Sequence, residues 1–271
     1  MKILKLTLRL KKVEGNMLER KMIKTLNLSH AVSLMKEHNE TCDYVYSWND
    51  FNLKDDSFGR GIVYAEKYHS GNSKVKIEKY QNRLSKPPKF PNLYNGFTTR
   101  LMCNGFYFLE TFKSSSSLTN QYNAAFPIYG KEIYYYLFGK RGFREYQVLF
   151  SWHTWQLAAD EIRKLISKTN LPVTLGSLKL FSGKPHYLSF SGDGVCITIN
   201  VANNLMSKDF FQSLDEITIK YNGRINLCKD SRTNVELVKQ LFPEYELFKQ
   251  RINTFDTKRI FVSDLRNRIQ I

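Results

Sequence analysis

Between residues 145 and 225 the spacing of apolar side chains switches from two to about 3.6 and back twice, which restricts the chain to a sheet packed against helices. Residues 145–152 alternate as a strand does. Thr154 then precedes a segment whose Trp155, Ala158, Ala159, Ile162, Leu165 and Ile166 share one helical face. Pro172 marks its exit. Val173–Phe181 and 195–201 read as two further strands. A helix capped by Ser207 follows, with Phe210, Phe211, Leu214, Ile217 and Tyr221 on its apolar face and Gly223 as its stop. The order strand, helix, strand, strand, helix, strand predicts an α+β domain whose mixed or antiparallel sheet is covered by helices on one face.

The rest of the chain is less regular. Leu4, Leu6, Leu8 and Leu10 alternate with Lys5, Thr7, Arg9 and Lys11, which predicts a half-buried N-terminal strand. Ser29 is placed to cap a helix to about His38, and residues 44–50 and 60–68 read as strands rich in aromatic and β-branched side chains. Two polar stretches, 69–98 with Pro87, Pro88 and Pro91, and 113–125 with Ser114 to Ser117, read as long loops of the kind that form lids. Thr233 and Glu236 have capping-box spacing for a helix ending at Pro243. Gly139 and Gly142 do not form a phosphate-binding loop, because no Gly-Lys-Ser/Thr follows and the next element is a strand. Tyr134, Tyr135, Tyr136 and Phe138 cannot all face inward from one helix, so part of that run meets a partner, a lipid or another domain.

Lysine and arginine total 41 against 25 acidic residues, a formal net charge of +16, which attracts phosphate-bearing partners: nucleic acid, an anionic membrane surface or a phosphorylated substrate. Cys42, Cys103, Cys196 and Cys228 are far apart, so neither a zinc site nor a disulfide framework is expected and a reducing, cytoplasmic setting fits. The five histidines show no ligand spacing, and no metal is expected. No apolar run approaches the length of a membrane span, leaving peripheral contact at an inner membrane as the form that lipid binding would take.

Three segments carry a resemblance: residues 139–147 (Gly-Lys-Arg-Gly-Phe-Arg-Glu-Tyr-Gln), 222–232 (Asn-Gly-Arg-Ile-Asn-Leu-Cys-Lys-Asp-Ser-Arg) and 261–265 (Phe-Val-Ser-Asp-Leu). Together they resemble the C-terminal half of flavin-dependent sugar oxidases of the vanillyl-alcohol-oxidase superfamily, which includes the decaprenylphosphoryl-ribose 2'-oxidase and aldonolactone oxidase families. The resemblance implies that residues 1–22 are the last strand of a truncated FAD-binding domain. It implies that 23–222 form the substrate-binding domain and that 223–271 return to the flavin site. FAD is the implied cofactor, held mainly by a separate FAD-binding polypeptide, without which this chain is inactive. The implied substrate is a sugar-like secondary alcohol, such as a polyprenyl-phosphate pentose of cell-wall biosynthesis, and an NAD-dependent reductase is an implied partner.

By the same resemblance Lys229 lies against flavin and substrate. A fixed ammonium there stabilises the negative charge that hydride transfer leaves on the ring. The competing reading is a solvated lysine beside a capped turn. Glu145 and Gln147 share a strand face. Gln147 matches a family position that binds sugar hydroxyls, whereas Glu145 replaces an amide by a charge suited to accept the hydroxyl proton. An exposed strand face is an equal alternative for Glu145. Lys179, Phe181 and Thr198 match pocket-lining positions, Trp48 a pocket wall, and Cys196 and Asn226 positions near the flavin. Cys196 is given no covalent role. A nucleic-acid-binding or non-catalytic docking module is the alternative, resting on net charge and on the Lys and Tyr residues of 74–89. Because no recognised nucleic-acid motif is present, nucleic acid is not expected as a partner.

Overall fold

A computed structural model of the chain describes residues 5–10, 12–13, 15–70, 90–112, 115–128, 130–131 and 133–271. Its first half holds β1 (Met17–Thr25), α1 (Leu28–Asn39), β2 (Tyr44–Asn49), β3 (Gly61–Tyr68), α2 (Gly96–Phe112), β4 (Ser116–Asn120), α3 (Gln121–Ala125) and α4 (Ile133–Tyr136). The second holds β5 (Phe143–Ser151), α5 (Trp155–Thr169), β6 (Val173–Phe181), β7 (Gly194–Ala202), α6 (Leu205–Lys220), β8 (Arg224–Ile225), α7 (Val235–Leu241), α8 (Tyr245–Phe255) and α9 (Asp264–Arg268). Among the described residues the strands form one eight-stranded sheet in the order β4-β1-β3-β2-β6-β7-β5-β8. Its pairings are antiparallel, which decides between the two sheet types the sequence allowed.

Strand parity sets the core. Tyr146, Val148 and Phe150 of β5, Leu178 of β6, and Val195, Ile197, Ile199 and Val201 of β7 are all buried. They join Ala31, Val32 and Met35 of α1, Trp155, Ala158 and Ile162 of α5, and Phe210, Phe211 and Leu214 of α6 in one apolar cluster. These helices make the expected one-sided cover. Helix α2 is an addition on the opposite face, where Phe106 packs edge-on against Trp48 of β2 at 4.7 Å. Strands β2 and β6 meet over only three residue pairs, Ser47 with Leu178, Trp48 with Ser177 and Asn49 with Gly176. Approach at this seam is close enough that a Cβ on Gly176 would lie 2.5 Å from the Asn49 carbonyl oxygen.

Several local expectations are corrected. Residues 5–10 form no strand, and Leu6, Leu8 and Leu10 are exposed; Leu4 lies outside the described residues. The first strand is β1, whose two edges are taken by β3 and β4 and which runs through position 22, the boundary suggested by the resemblance. Asn27, not Ser29, caps α1 by accepting from the His30 amide. Asn204 caps α6 in a reciprocal box with Ser207, and Asn234 caps α7. The left-handed residue ending α6 is Asn222 (φ 51°), while Gly223 is required by packing, since a Cβ there would sit 2.6 Å from the Phe150 ring. Of the two expected loops, 71–89 and 113–114 lie outside the described residues, whereas 115–125 is largely β4 and α3. Tyr134 and Phe138 turn inward with Tyr94, leaving Tyr135 partly exposed.

Phe150 has no exposed surface and sits at the centre of the helix-facing core. Phe150→Ala is expected to cost about 3–5 kcal/mol of stability, read as a lower urea midpoint with the folded far-ultraviolet circular dichroism retained.

Candidate functional site

The parity that buries one side of β5 and β7 places Glu145, Gln147, Cys196, Thr198 and Asn200 together on the other. Register then aligns them across strands. Gln147 pairs with Thr198, Thr198 with Ser177 and Ser177 with Trp48, a row running from β5 to β2. Glu145 pairs with Asn200 on one side of that row, and Cys196 with Lys179 on the other. At the β5 edge the Gln147 carbonyl accepts from the Asn226 amide at 3.0 Å. The Asn226 side chain donates to Gln147 Oε1 at 2.5 Å, and Gln147 Nε2 donates to Thr198 Oγ1 at 3.1 Å. Gln147 is thereby fixed in one orientation.

Lys229 follows in a turn closed by its own amide on the Asn226 carbonyl, 3.0 Å. Its Nζ lies 2.7 Å from Glu145 Oε1, a close ion pair outside hydrogen-bond alignment. The Glu145 side chain is 18% exposed and that of Lys229 49%, so the carboxylate is the inner partner and the ammonium the outer one. Glu145 Oε1 and Asn200 Oδ1 are both buried without a hydrogen-bond partner among the described residues. Glu145 Oε1 has the Lys229 ammonium beside it, whereas an open buried acceptor such as Asn200 Oδ1 is costly unless a donor-bearing ligand or water reaches it. Beside them Tyr134 shares its hydroxyl with Thr174 at 3.0 Å and receives the Asn200 amide at 3.4 Å; burial pushes the phenol up to about 12.

The Lys229 turn is anchored from the C-terminus. Asp230 accepts the Arg232 and Thr233 amides at 3.0 and 2.6 Å and the Arg268 guanidinium at 2.8 Å. Arg268 also donates to the Asp230 and Thr233 carbonyls. Burial opposes charge on Asp230, yet these donors and the Arg232 charge hold its carboxyl below the usual value. Arg232 is braced by Asp215 at 2.6 Å, which also accepts the Tyr146 hydroxyl at 2.9 Å. An open cleft of about 290 Å³ borders the turn, lined by Phe143, Arg144, Glu145, Phe211 and residues 229–232.

All the residues singled out in the sequence lie on this face or its β5 edge, but not all meet. Lys229, Glu145, Gln147, Asn226 and Thr198 form one connected group. Lys179 is exposed beside Cys196, whose thiol burial pushes up to about 12 and so keeps protonated. Phe181 packs edge-on with Phe190, and Trp48 with Phe106 of α2. Strand parity puts Asn200 on one face with Cys196 and Thr198, as the sequence indicates, although no role of its own follows from the sequence alone. Sequence reasoning missed Tyr134 and the bond between Arg268 and Asp230, which join distant segments and leave no local signal. The Lys and Tyr residues of 74–89 lie outside the described residues. Among those described, no cluster suits a metal ion, the four cysteines are free, and no helix is long and apolar enough to cross a membrane.

No protein-family model matches the chain. Decaprenylphosphoryl-beta-D-ribose oxidase of Mycolicibacterium smegmatis is 24% identical over 270 residues, covering 91% of this chain and 55% of the oxidase. The chain is a homologue of that oxidase. It spans about half the oxidase's length. An uncharacterized protein in the mprA 5' region of Streptomyces coelicolor is 32% identical over 98 residues, covering 35% of this chain and 26% of that protein. Among solved structures, a variant of berberine bridge enzyme superposes with a TM-score of 0.44 at 12% identity, over 92% of this chain and 55% of that one. The Eschscholzia californica enzyme in a monoclinic crystal form gives 0.43 at 11%, over 92% and 54%.

Because the folded Asp230 value lies below the unfolded one, its stabilisation is full above the ordinary aspartate value of about 3.9 and is lost as pH falls through the folded value. Asp230→Asn is therefore expected to cost about 2 kcal/mol at neutral pH. The gap from wild type should shrink in melts taken at progressively lower pH below about 4.

Proposed function

We propose that this chain is the substrate-binding portion of an FAD-dependent oxidoreductase acting on a secondary alcohol of a sugar-like substrate, such as a polyprenyl-phosphate pentose. The observation that carries the reading is the Lys229 and Glu145 pair on a polar sheet face beside Asn200 Oδ1, a buried acceptor with no partner among the described residues. Homology to an oxidase over 91% of the chain supports it. The residues present fit the ring end of a flavin, because the buried Asn200 Oδ1 has no hydrogen-bond partner among the described residues and suits an N–H donor, and Lys229 supplies a cation beside it. The diphosphate and adenine are assigned to an FAD-binding portion other than these residues, which span about half the oxidase's length.

When bound, FAD supplies the acceptor for the hydride that leaves the carbinol carbon. The chain's own groups do the remaining work. Gln147, held by Asn226 and Thr198, offers a fixed amide to sugar hydroxyls, since its orientation does not change when substrate enters. Glu145 accepts the hydroxyl proton at Oε1 as the carbinol becomes a carbonyl. Lys229 pairs with Glu145 and places positive charge where negative charge accumulates. Arg144, Lys229 and Arg232 around the cleft suit a phosphate on the substrate. An NAD-dependent reductase acting on the keto product is the partner we propose, and a separate electron acceptor would reoxidise the reduced flavin.

The test is to co-express the chain with an FAD-binding polypeptide, purify by a tag on this chain and follow flavin absorbance as sugar alcohols and polyprenyl-phosphate pentoses are added. The chain alone is expected to be colourless and the assembly yellow, bleaching with its substrate. Lys229→Ala should slow bleaching about a hundredfold or more, and Glu145→Gln should slow it by about a hundredfold or more as well. An assembly whose flavin no such alcohol reduces, or a Lys229→Ala variant as fast as wild type, would overturn the reading.

A further inference from the structure

Helix α2 is amphipathic in the sense opposite to a water-facing helix. At about 100° per residue, Phe97, Leu101, Met102, Phe108 and Leu109 fall on one outward arc. Their exposures are 78%, 62%, 40%, 60% and 64%. The inward face is more polar: Thr99 and Cys103 are buried there over Asp50 and Asn52, and Phe106 covers Trp48. Thr99 Oγ1 lacks a hydrogen-bond partner among the described residues, and Asp50 Oδ2 pairs with the Arg60 guanidinium at 3.6 Å, beyond hydrogen-bond distance. Burial of apolar surface beneath α2 therefore does not explain the composition of the helix. Its largest apolar surface faces outward.

Charge says what that surface meets. Along one flank of the arc Arg100 is exposed on α2 itself. Next to it the Arg60 guanidinium donates to Asn104 and lies 4.7 Å from the Tyr107 ring, with the Lys24 ammonium 5.6 Å from the same ring. Arg100 and Lys24 thus edge an apolar arc, with Arg60 between them paired to the buried Asp50 at 3.6 Å, on a chain of net charge +16, and Glu110 is the one carboxylate in the helix. An apolar stripe bordered by lysine and arginine matches the boundary between acyl chains and anionic headgroups. We propose that α2 is an interfacial anchor that seats this chain on an anionic lipid surface, lying in the plane of the membrane. The inference rests on α2 and the cations beside it and does not depend on the flavin reading.

The test is co-sedimentation of the purified full chain with vesicles of phosphatidylcholine alone and of phosphatidylcholine mixed with phosphatidylglycerol. Binding is expected to the anionic vesicles, weaker to the neutral ones and weakened by added salt. Leu101→Ser with Phe108→Ser should lower it at least about tenfold, as should Arg100→Glu to a smaller extent. Phe261→Ser, at an exposed apolar position far along the chain, should leave it unchanged. Circular dichroism checks the fold of each variant. Should the double variant misfold, Arg100→Glu and the salt series decide. A wild-type chain left in the supernatant with anionic vesicles, or binding unaltered by these changes, overturns the proposal. Self-association by gel filtration that the double variant abolishes also overturns it, by making the arc a contact between copies.

Discussion

A strand sends successive side chains to opposite faces of its sheet, and this constraint organises the molecule. Packing Tyr146, Val148, Phe150, Val195, Ile197 and Ile199 against α1, α5 and α6 removes them from water and at the same time commits Glu145, Gln147, Cys196, Thr198 and Asn200 to the opposite side. The polar face is thus held by the apolar one. A shift of one residue in the β5 and β7 pairing would bury Glu145 among aromatic rings, so the core energy that fixes the register also fixes the site.

The cation is positioned differently. Strand β8 pairs with β5 only at Val148 and Leu149, and the chain leaves the sheet before Lys229. What holds the turn is the Asn226 contact with Gln147 on one side and the Asp230 carboxylate with Arg232 and Arg268 on the other. Tyr245 adds to this by donating its hydroxyl to the Ile269 carbonyl at 2.7 Å, tying the last residues to α8. The C-terminal tail therefore acts on the placement of Lys229 without touching it.

The elements from β5 to β8 were legible in the sequence because each obeys one period, and the same parity marked Glu145 with Gln147 and Thr198 with Asn200. The resemblance supplied Lys229, which periodicity alone would have left as a solvated lysine. Helix caps were read less well. Asn27, Asn204 and Asn234 took the roles that nearby Ser29, Ser207 and Thr233 seemed to offer, since either side chain can accept a helix amide and the choice rests on backbone geometry. The leucine alternation at residues 4–10 failed because alternation states what a strand would bury, not whether a neighbour exists to pair with it. Tyr134 and Arg268 were invisible because their partners, Asn200 and Asp230, are far away in sequence.

The three-pair seam between β2 and β6 bears on how the chain reaches this structure. Each half of the sheet is assembled from its own stretch of sequence, β1 to β4 before residue 121 and β5 to β8 after residue 142. Across the seam the Leu178 amide bonds to the Ser47 hydroxyl, 131 residues away in the chain. Closing so large a loop costs chain entropy before any contact compensates for it. The two halves are therefore the natural early units, and the row from Gln147 to Trp48 is completed only when they join, making its full length a late event in folding.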